Sequence, residues 1–311
     1  MFEEIARTGS LQVAAANLEL SPPAASQQIK KLELALGQSL LDHGHRPLTL
    51  TRTGRAYLVH VREAMAQLRQ GETALSLMDM TRLRRLRIGI IDDFDTDVTP
   101  QLTIKLARVL TKCDLTLQTA PSHVLLDRVA NQTLDIGIAA RPLDVPESVF
   151  ETPLLRDPFV LIVPRGYLLG PPSGFDRMQD LPFLRYDRSQ MMGRQIATHL
   201  ARLKIVPNSR AELDSNQAIF GLIANGAGWT ISTPLGFLRA RQFQGQIDIF
   251  PLPFASFFRV ISLFQPNGWT DEITRVIANT LRDLLQAEAV LPGVKAFPWL
   301  NEDLAILNAD L

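Results

Sequence analysis

The sequence predicts an α/β protein with a helical head, and three observations in chain order predict it. Short apolar-periodic segments punctuated by Gly-Ser and Ser-Pro fill the first 37 residues. A polar-tipped ribbon and one long helical stretch follow, and from Leu86 onward strand-like and helix-like runs alternate in two similar halves. With 311 residues, 46% hydrophobic and 21% charged, the chain is long enough for more than one domain and too apolar to be disordered.

Ile5 and Ala6 lead to Thr8-Gly9-Ser10, where Gly releases one helix and Ser can cap the next. Leu11, Ala14, Ala15 and Leu18 recur at helical spacing. Ser21 and Pro22 then mark the N-cap and first position of a third helix, whose buried face is Ile29, Leu32 and Leu36 as far as Gly37. Two short helices, a tight turn and the small Ala15 at their crossing make a helix-turn-helix. Leu40-Leu41, the tip Asp42-His43-Gly44-His45-Arg46-Pro47 and the alternating Leu48-Thr49-Leu50-Thr51 read as a two-stranded wing. From Arg52 to about Asp79 a single helical segment carries Leu58, Val61, Met65, Leu68 and Leu75 at coiled-coil spacing, a seam expected to bury itself against a second copy.

In the body, strands are expected at Leu86–Ile91, Leu115–Thr119, Asp135–Ala139 and Phe159–Val163, with helices at Pro100–Leu110 and Val124–Asn131. The pattern repeats with strands Phe183–Tyr186 and Trp229–Thr233 and helices near Arg194–Leu203 and Ala218–Ala224. Such alternation predicts parallel sheets, a clamshell of two halves, and a ligand at the carboxyl ends of strands. Phe258–Phe264 and the amphipathic helix Asp271–Gln286 complete the first half, and PGVKAFPWL beyond them is an unassigned tail.

Charge separates the two regions. Residues 1–87 hold 12 Lys and Arg against 8 Asp and Glu, and the remainder 20 against 24. The single Cys113 excludes an internal disulfide, the acidic start MFEEIARTGS lacks an export signal, and no run approaches the length of a membrane helix. A cytoplasmic protein with no membrane partner is expected.

The residues resemble the LysR-type transcriptional regulators over nearly the whole chain. The match rests on Ala14, Ala15 and Leu18; on Ser21, Pro23, Ala24, Ser26, Ile29, Leu32 and Glu33; on Leu36-Gly37; on Leu50, Thr51 and Gly54; on the D-I-G-I run Asp135 to Ile138; and on L-I-A-N-G-A-G-W from Leu222 to Trp229. The resemblance implies a winged helix-turn-helix DNA-binding domain over 1–55, a linker and dimerisation helix over 56–85, and an effector-binding domain over 86–311, similar to periplasmic binding proteins and built of two α/β subdomains. It places the usual start of the first helix several residues before Met1. Pro22 stands where the family often has a polar residue, and Leu41 and His43 where its wing often carries Phe and Arg.

A recognition helix reads base edges from its N-terminal residues while cations hold phosphates. Ser21, Pro23, Ser26 and Gln27 are the expected base-reading positions, and Lys30, Lys31, Arg46 and Arg52 the phosphate contacts, on double-stranded DNA. The seam Leu58, Val61, Met65 and Leu68 would make the homodimer, with a homotetramer also open. The family's crevice residues fall near Thr96, Ser122, Ser189 and Thr233, with Thr96 and Ser122 equally readable as helix N-caps. Asp93 joins them as part of the acidic loop Asp92, Asp93, Asp95 and Asp97, which favours a cationic effector narrowly over a carboxylate unless Arg185, Arg188 or His123 offsets the charge.

Catalysis has no candidate set. His43 and His45 lack a third metal ligand, Cys113 lacks a paired His, and no P-loop, G-x-G-x-x-G or H-E-x-x-H occurs, so no metal and no cofactor is expected. Trp229 and Phe220 are expected in the core. The reading is a DNA-binding regulator modulated by a small-molecule effector. The alternative left open is a small-molecule binding module whose N-terminal region only oligomerises.

Overall fold

A computed structural model describes residues 1–42, 44, 47–61, 64–65, 83–172, 178, 180–267 and 271–308. The chain divides into two compact units, Met1–Asp79 and Met80–Ala309.

The first unit contains helices α1 (Phe2–Thr8), α2 (Leu11–Asn17) and α3 (Pro22–Leu36), strands β1 (Leu41–Asp42) and β2 (Thr49–Leu50), and helix α4 (52–61, with 64–65 also helical). Caps set these boundaries. The Ser10 hydroxyl accepts from Val13 N–H and that of Ser21 from Ala24 N–H, both at 3.4 Å, and α3 stops at Gly37 with φ 63°, a left-handed conformation that a side chain disfavours. Phe2, Ile5, Ala14, Ile29, Leu40, Leu41 and Leu58 form the core. The expected apolar face of α3 is narrower than its periodicity implies: Ile29 is buried, Leu32 half-buried and Leu36 exposed. Leu18 is exposed as well.

The second unit is two lobes. Lobe one is a six-stranded sheet in the order β13-β6-β12-β5-β3-β4, from β3 (Arg85–Ile90), β4 (Asp114–Thr119), β5 (Ile136–Ala140), β6 (Val149–Pro158), β12 (Phe258–Pro266) and β13 (Ala305–Ile306). Helices α5 (Val98–Val109), α6 (Ser122–Ala130) and α10 (Asp271–Leu285) accompany it. Lobe two holds the three-stranded sheet β10-β7-β11, from β7 (Val160–Pro164), β10 (Thr230–Ser232) and β11 (Ile247–Phe250), and the parallel pair β8 (Phe183–Tyr186) and β9 (Ser209–Leu213). Its helices are α7 (Met191–Arg202), α8 (Asn216–Ala224) and α9 (Pro234–Arg239).

The all-parallel expectation is corrected. β3 pairs in parallel with β4 and β5, but β12 runs antiparallel to both β5 and β6, and β7 is antiparallel to both of its neighbours. The reason is topological: β6 leads the chain out of lobe one into β7, and β12 brings it back in the opposite direction. The tail is also structured. Past a π-helical turn at Gln286–Val290 come α11 (Leu291–Ala296) and β13, which covers the free side of β6. Trp229 and Phe220 lie in the core as expected.

Candidate DNA-reading surface and effector crevice

On the first unit, α3 is held by its caps and by one carboxylate. Glu33 Oε1 accepts from the backbone N–H groups of Leu40 at 2.7 Å and Leu41 at 3.1 Å, tying the helix to the first wing strand. Thr51 closes the other side: its hydroxyl donates to the Ser39 carbonyl at 2.7 Å and accepts from Gly54 N–H at 2.9 Å, capping α4. Gly54 is required at that spot, because a Cβ there would overlap the Leu40 carbonyl. Sequence spacing showed Glu33, Thr51 and Gly54 as a pattern but not as the joint between helix and wing.

This scaffold leaves Ser21, Pro23, Gln27, Lys30 and Lys31 exposed and Ser26 half-buried on α3, with Arg52 exposed at the start of α4. Arg46, and with it His43 and His45, lies outside the described residues, as does Leu68. Leu58, read as a seam position, is buried in its own domain's core; Val61 packs beside it and Met65 is exposed. Leu58 therefore has its apolar partners within the chain.

On the second unit, the crossing strands carry a charge pair in register. Arg259 on β12 is the cross-strand partner of Asp157 on β6, and its Nε donates to Asp157 Oδ2 at 2.9 Å. Both side chains are buried, Asp157 completely. Arg259 Nη2 donates to Asp93 Oδ2 at 2.8 Å and to the Thr233 hydroxyl at 3.1 Å. Asn216 Nδ2 donates to Asp93 Oδ1 at 3.3 Å, Tyr186 donates to Asn216 Oδ1, and Tyr186 and Ser232 share a hydrogen bond of 2.8 Å. One guanidinium on a crossing strand thus joins a lobe-one carboxylate to the lobe-two hydroxyl of Thr233, and the same carboxylate accepts from the lobe-two amide of Asn216. Beside it, Phe159 and Phe257 stack with ring centroids 4.1 Å apart.

Burial sets the titration of this cluster. It pushes the Asp157 carboxyl up to about 6, against the pull of Arg259, and it pushes the Tyr186 phenol well above its usual range. For Arg259 burial acts to lower the pKa, but the Asp93 and Asp157 carboxylates more than offset it, so the guanidinium stays charged.

The expected cluster of unpaired Asp does not face the crevice, so the loop's charge gives no preference for a cationic effector. Asp92 pairs with Arg239 at 2.6 Å, Asp93 with Arg259, Asp97 with Arg241 at 2.6 Å, and Asp95 accepts from the Thr119 hydroxyl at 2.9 Å. The offsetting cations are Arg239, Arg241 and Arg259 rather than Arg185, Arg188 or His123. Arg185 pairs with Glu212. Of the five expected crevice residues, the structure brings together Asp93 and Thr233 through Arg259. Thr96 and Ser189 are exposed, and the Ser122 hydroxyl accepts from Ala140 N–H at 3.1 Å. Neither Thr96 nor Ser122 is a helix cap, since α5 and α6 are preceded by Asp97 and Pro121 without side-chain cap bonds. Thr233 is one: its hydroxyl accepts from Gly236 N–H at 3.4 Å.

The residues missed were Arg259, Asp157, Asn216 and Tyr186. For the two charged ones the signal was a charge inside an apolar strand run, Arg259 between Phe258 and V-I-S-L-F and Asp157, next to Arg156, between Leu155 and Phe159, because charges are buried in strands only with a partner; Asn216 and Tyr186 carried no such signal. The D-I-G-I run has a structural use: Asp135 receives the Arg87 backbone N–H at 2.7 Å and its guanidinium at 2.7 Å, which joins β5 to β3.

Two family profiles match the chain: "Bacterial regulatory helix-turn-helix protein, lysR family" over residues 1–55 and "LysR substrate binding domain" over residues 81–286. The chain belongs to the LysR family. It is a transcriptional regulator with a helix-turn-helix DNA-binding domain and an effector-binding domain, and LysR regulators bind DNA and small-molecule effectors. The family is one of transcriptional regulators, not of enzymes. The chain is 27% identical over 232 residues to the transcriptional regulator CbbR of Rhodospirillum rubrum, covering 73% of this chain and 76% of the relative. It is 28% identical over 258 residues to the transcriptional regulator PcaQ of Agrobacterium fabrum, covering 81% and 82%. Among solved structures, a hydrogen-peroxide-bound cysteine-to-serine mutant of OxyR of Corynebacterium glutamicum superposes with a TM-score of 0.58 at 20% identity, covering 95% of this chain and 94% of that one. CbnR, a LysR family regulator, gives 0.51 at 17%, covering 90% and 97%; at these identities the likeness is one of fold. No helix among the described residues of this LysR protein is long and apolar enough to cross a membrane, and no His, Cys, Asp or Glu group among them could hold a metal.

Proposed function

We propose that this LysR regulator reads DNA with Ser21, Pro23, Ser26, Gln27, Lys30, Lys31, Arg46 and Arg52, and senses a small organic anion in the crevice at Asp93, Thr96, Ser122, Ser189 and Thr233. The proposed division is 1–55 for DNA binding, 56–85 for the linker, and 86–311 for the effector domain. It acts in the cytoplasm as a homodimer or homotetramer, with Val61, Met65 and Leu68 in the dimer seam. The observation that carries the effector reading is the Asp93–Arg259–Thr233 contact at 2.8 and 3.1 Å. A guanidinium flanked by hydroxyl and amide groups is a receptor for a carboxylate, and here the chain's own Asp93 fills it. An anionic effector therefore exchanges with Asp93, which frees the loop 92–97 from the crossing strand.

Calorimetry on the full chain with organic acids and matched amines tests the effector class. Acids should bind and amines should not, and the reverse order overturns the reading. A gel-shift assay with the upstream region of its own gene tests the DNA reading. Lys30→Ala should weaken binding to every sequence and flatten its salt dependence, whereas Gln27→Ala should mainly relax base preference. Unchanged footprints for both variants would remove the contact assignment.

A further inference from the structure

The segment past α10 follows the residues that the substrate-domain profile matches, which end at 286, and it touches both lobes. Its hold on lobe one is polar. The Glu288 carboxylate accepts from the Gln101 amide of α5 at 2.7 Å, Asp303 pairs with Arg156 of β6 at 2.9 Å, and Leu307 N–H donates to the Leu154 carbonyl at 2.8 Å, continuing the β13–β6 pairing. Arg282 of α10 secures the same end, its Nε donating to the Leu307 carbonyl at 2.8 Å. Its hold on lobe two is apolar and falls on α9. Phe297 meets Phe237 edge to face, with ring centroids 5.4 Å apart and planes at 76°. A Cβ at Gly293 would stand 2.8 Å from Leu304 Cδ2 and 3.7 Å from Leu238 Cδ1, so the tail backbone, the buried Leu304 and α9 meet at that glycine. Phe237 and Arg239 are two positions apart, about 200° around a helix, so α9 turns Phe237 to the tail and Arg239 to the loop 92–97, where it pairs with Asp92 at 2.6 Å. Lobe one thus grips α9 on two faces.

We propose that residues 291–307 are a strap that ties α9 to β6 and limits how far lobe two moves from lobe one. The chain crosses between the lobes at β6 to β7 and again at β11 to β12, and a pair of crossings leaves a hinge free to bend. The tail adds a further, non-covalent link: α9 cannot shift against lobe one without giving up Phe297, Asp92 or both. Packing contacts are short-ranged, so a gap of about 1 Å already forfeits up to about half of the attraction at Phe297. The strap holds whatever the crevice binds.

Hydrogen exchange on the full chain, read at the α9 amides, is the direct trial, because it reports local opening without unfolding. Phe297→Ala removes the contact itself and should quicken exchange there about tenfold. Leu307→Pro separates a strap from local packing, since Leu307 is bonded to β6 and α10 rather than to α9 and the change removes its N–H. It should still quicken α9, by about fivefold for one hydrogen bond, and the loop 92–97 with it. The double variant should exchange at α9 no faster than Phe297→Ala alone, because a strap cut at one end is not loosened further at the other. Strands β5 and β12 should stay protected throughout. If Leu307→Pro exposes them too, Asp303→Asn, at a half-exposed pair, takes its place with an expected change of about twofold at α9. Exchange quickened only in β13 and β6 by either variant overturns the proposal, and so does Phe297→Ala without effect at α9. A double variant in which the two effects multiply overturns it as well, since the tail would then make two separate contacts and not one link.

Discussion

Arg259 holds two carboxylates out of water, and its energetics depend on keeping all three groups together. Buried ion pairs contribute little net stability, but removing one partner leaves an uncompensated charge in a low-dielectric interior. Arg259→Met keeps the stem's volume and strands Asp93 and Asp157, so it should destabilise the second unit by about 3–5 kcal/mol. Trp229 and Trp299 belong to that unit and no tryptophan occurs in residues 1–79, so denaturation followed by tryptophan fluorescence reads it directly. A loss under about 1 kcal/mol would mean that water reaches the cluster. Asp157 adds a pH dependence of definite sign. Burial pushes its folded carboxyl up to about 6, from the usual carboxylate value of 3.8, so between these values the folded chain holds a proton that the unfolded chain has released. Its contribution is therefore fully present below about 4 and lost as pH rises through about 6, by up to about 3 kcal/mol. Asp157→Asn should abolish that slope. An unchanged slope between pH 4 and 6 in the variant would assign it to other carboxylates.

At the element scale, the helix ends of the first unit were legible, whereas the starts of α5 and α6, where Thr96 and Ser122 do not cap, and the sheet pairings were not. Ser10, Ser21 and Gly37 announce their boundaries through local backbone chemistry, and each sits at the boundary read from sequence. Ser21→Ala should cost the first unit about 1 kcal/mol, read as a lower thermal midpoint for that unit, because one N–H at the start of α3 loses its acceptor. Gly54→Ala should do far more, since its methyl meets the Leu40 backbone rather than a flexible side chain. A fully folded, DNA-competent Gly54→Ala would show that the joint between wing and α4 can shift. The antiparallel return of β12 was illegible because direction depends on where the chain re-enters the sheet, which no local pattern records. The same holds for the site: Asp93 and Thr233 were found as loop and cap residues, whereas Arg259 lies 102 positions from its partner Asp157. The acidic loop misled for a related reason, because its partners Arg239 and Arg241 are supplied by lobe two.

For the second unit as a whole, three ion pairs bind the loop 92–97 to lobe two and the crossing strand, and they differ in solvent access. Asp93–Arg259 is buried, while Asp92 of one outer pair and Arg241 of the other are exposed, so each outer pair is worth roughly 0–1 kcal/mol. Removing both outer pairs should leave the fold intact and shift the balance between closed and open lobes. If an anionic effector enters only when Asp93 leaves Arg259, its apparent affinity is its intrinsic affinity scaled by the fraction of open molecules. The double variant Arg239→Gln, Arg241→Gln should then bind the effector more tightly, by up to about tenfold for a combined loss of about 1.4 kcal/mol. The same variant should show faster amide exchange across residues 92–97 while the core strands β5 and β12 stay protected. High salt should mimic the substitutions in the parent chain, because exposed pairs are screened, and should do nothing further in the variant. Tighter binding without faster exchange would mean that the arginines repel the effector less when removed, and not that they hold the lobes together. Weaker binding would place Arg239 or Arg241 in direct contact with the anion, and would make the outer pairs part of the receptor instead of its latch.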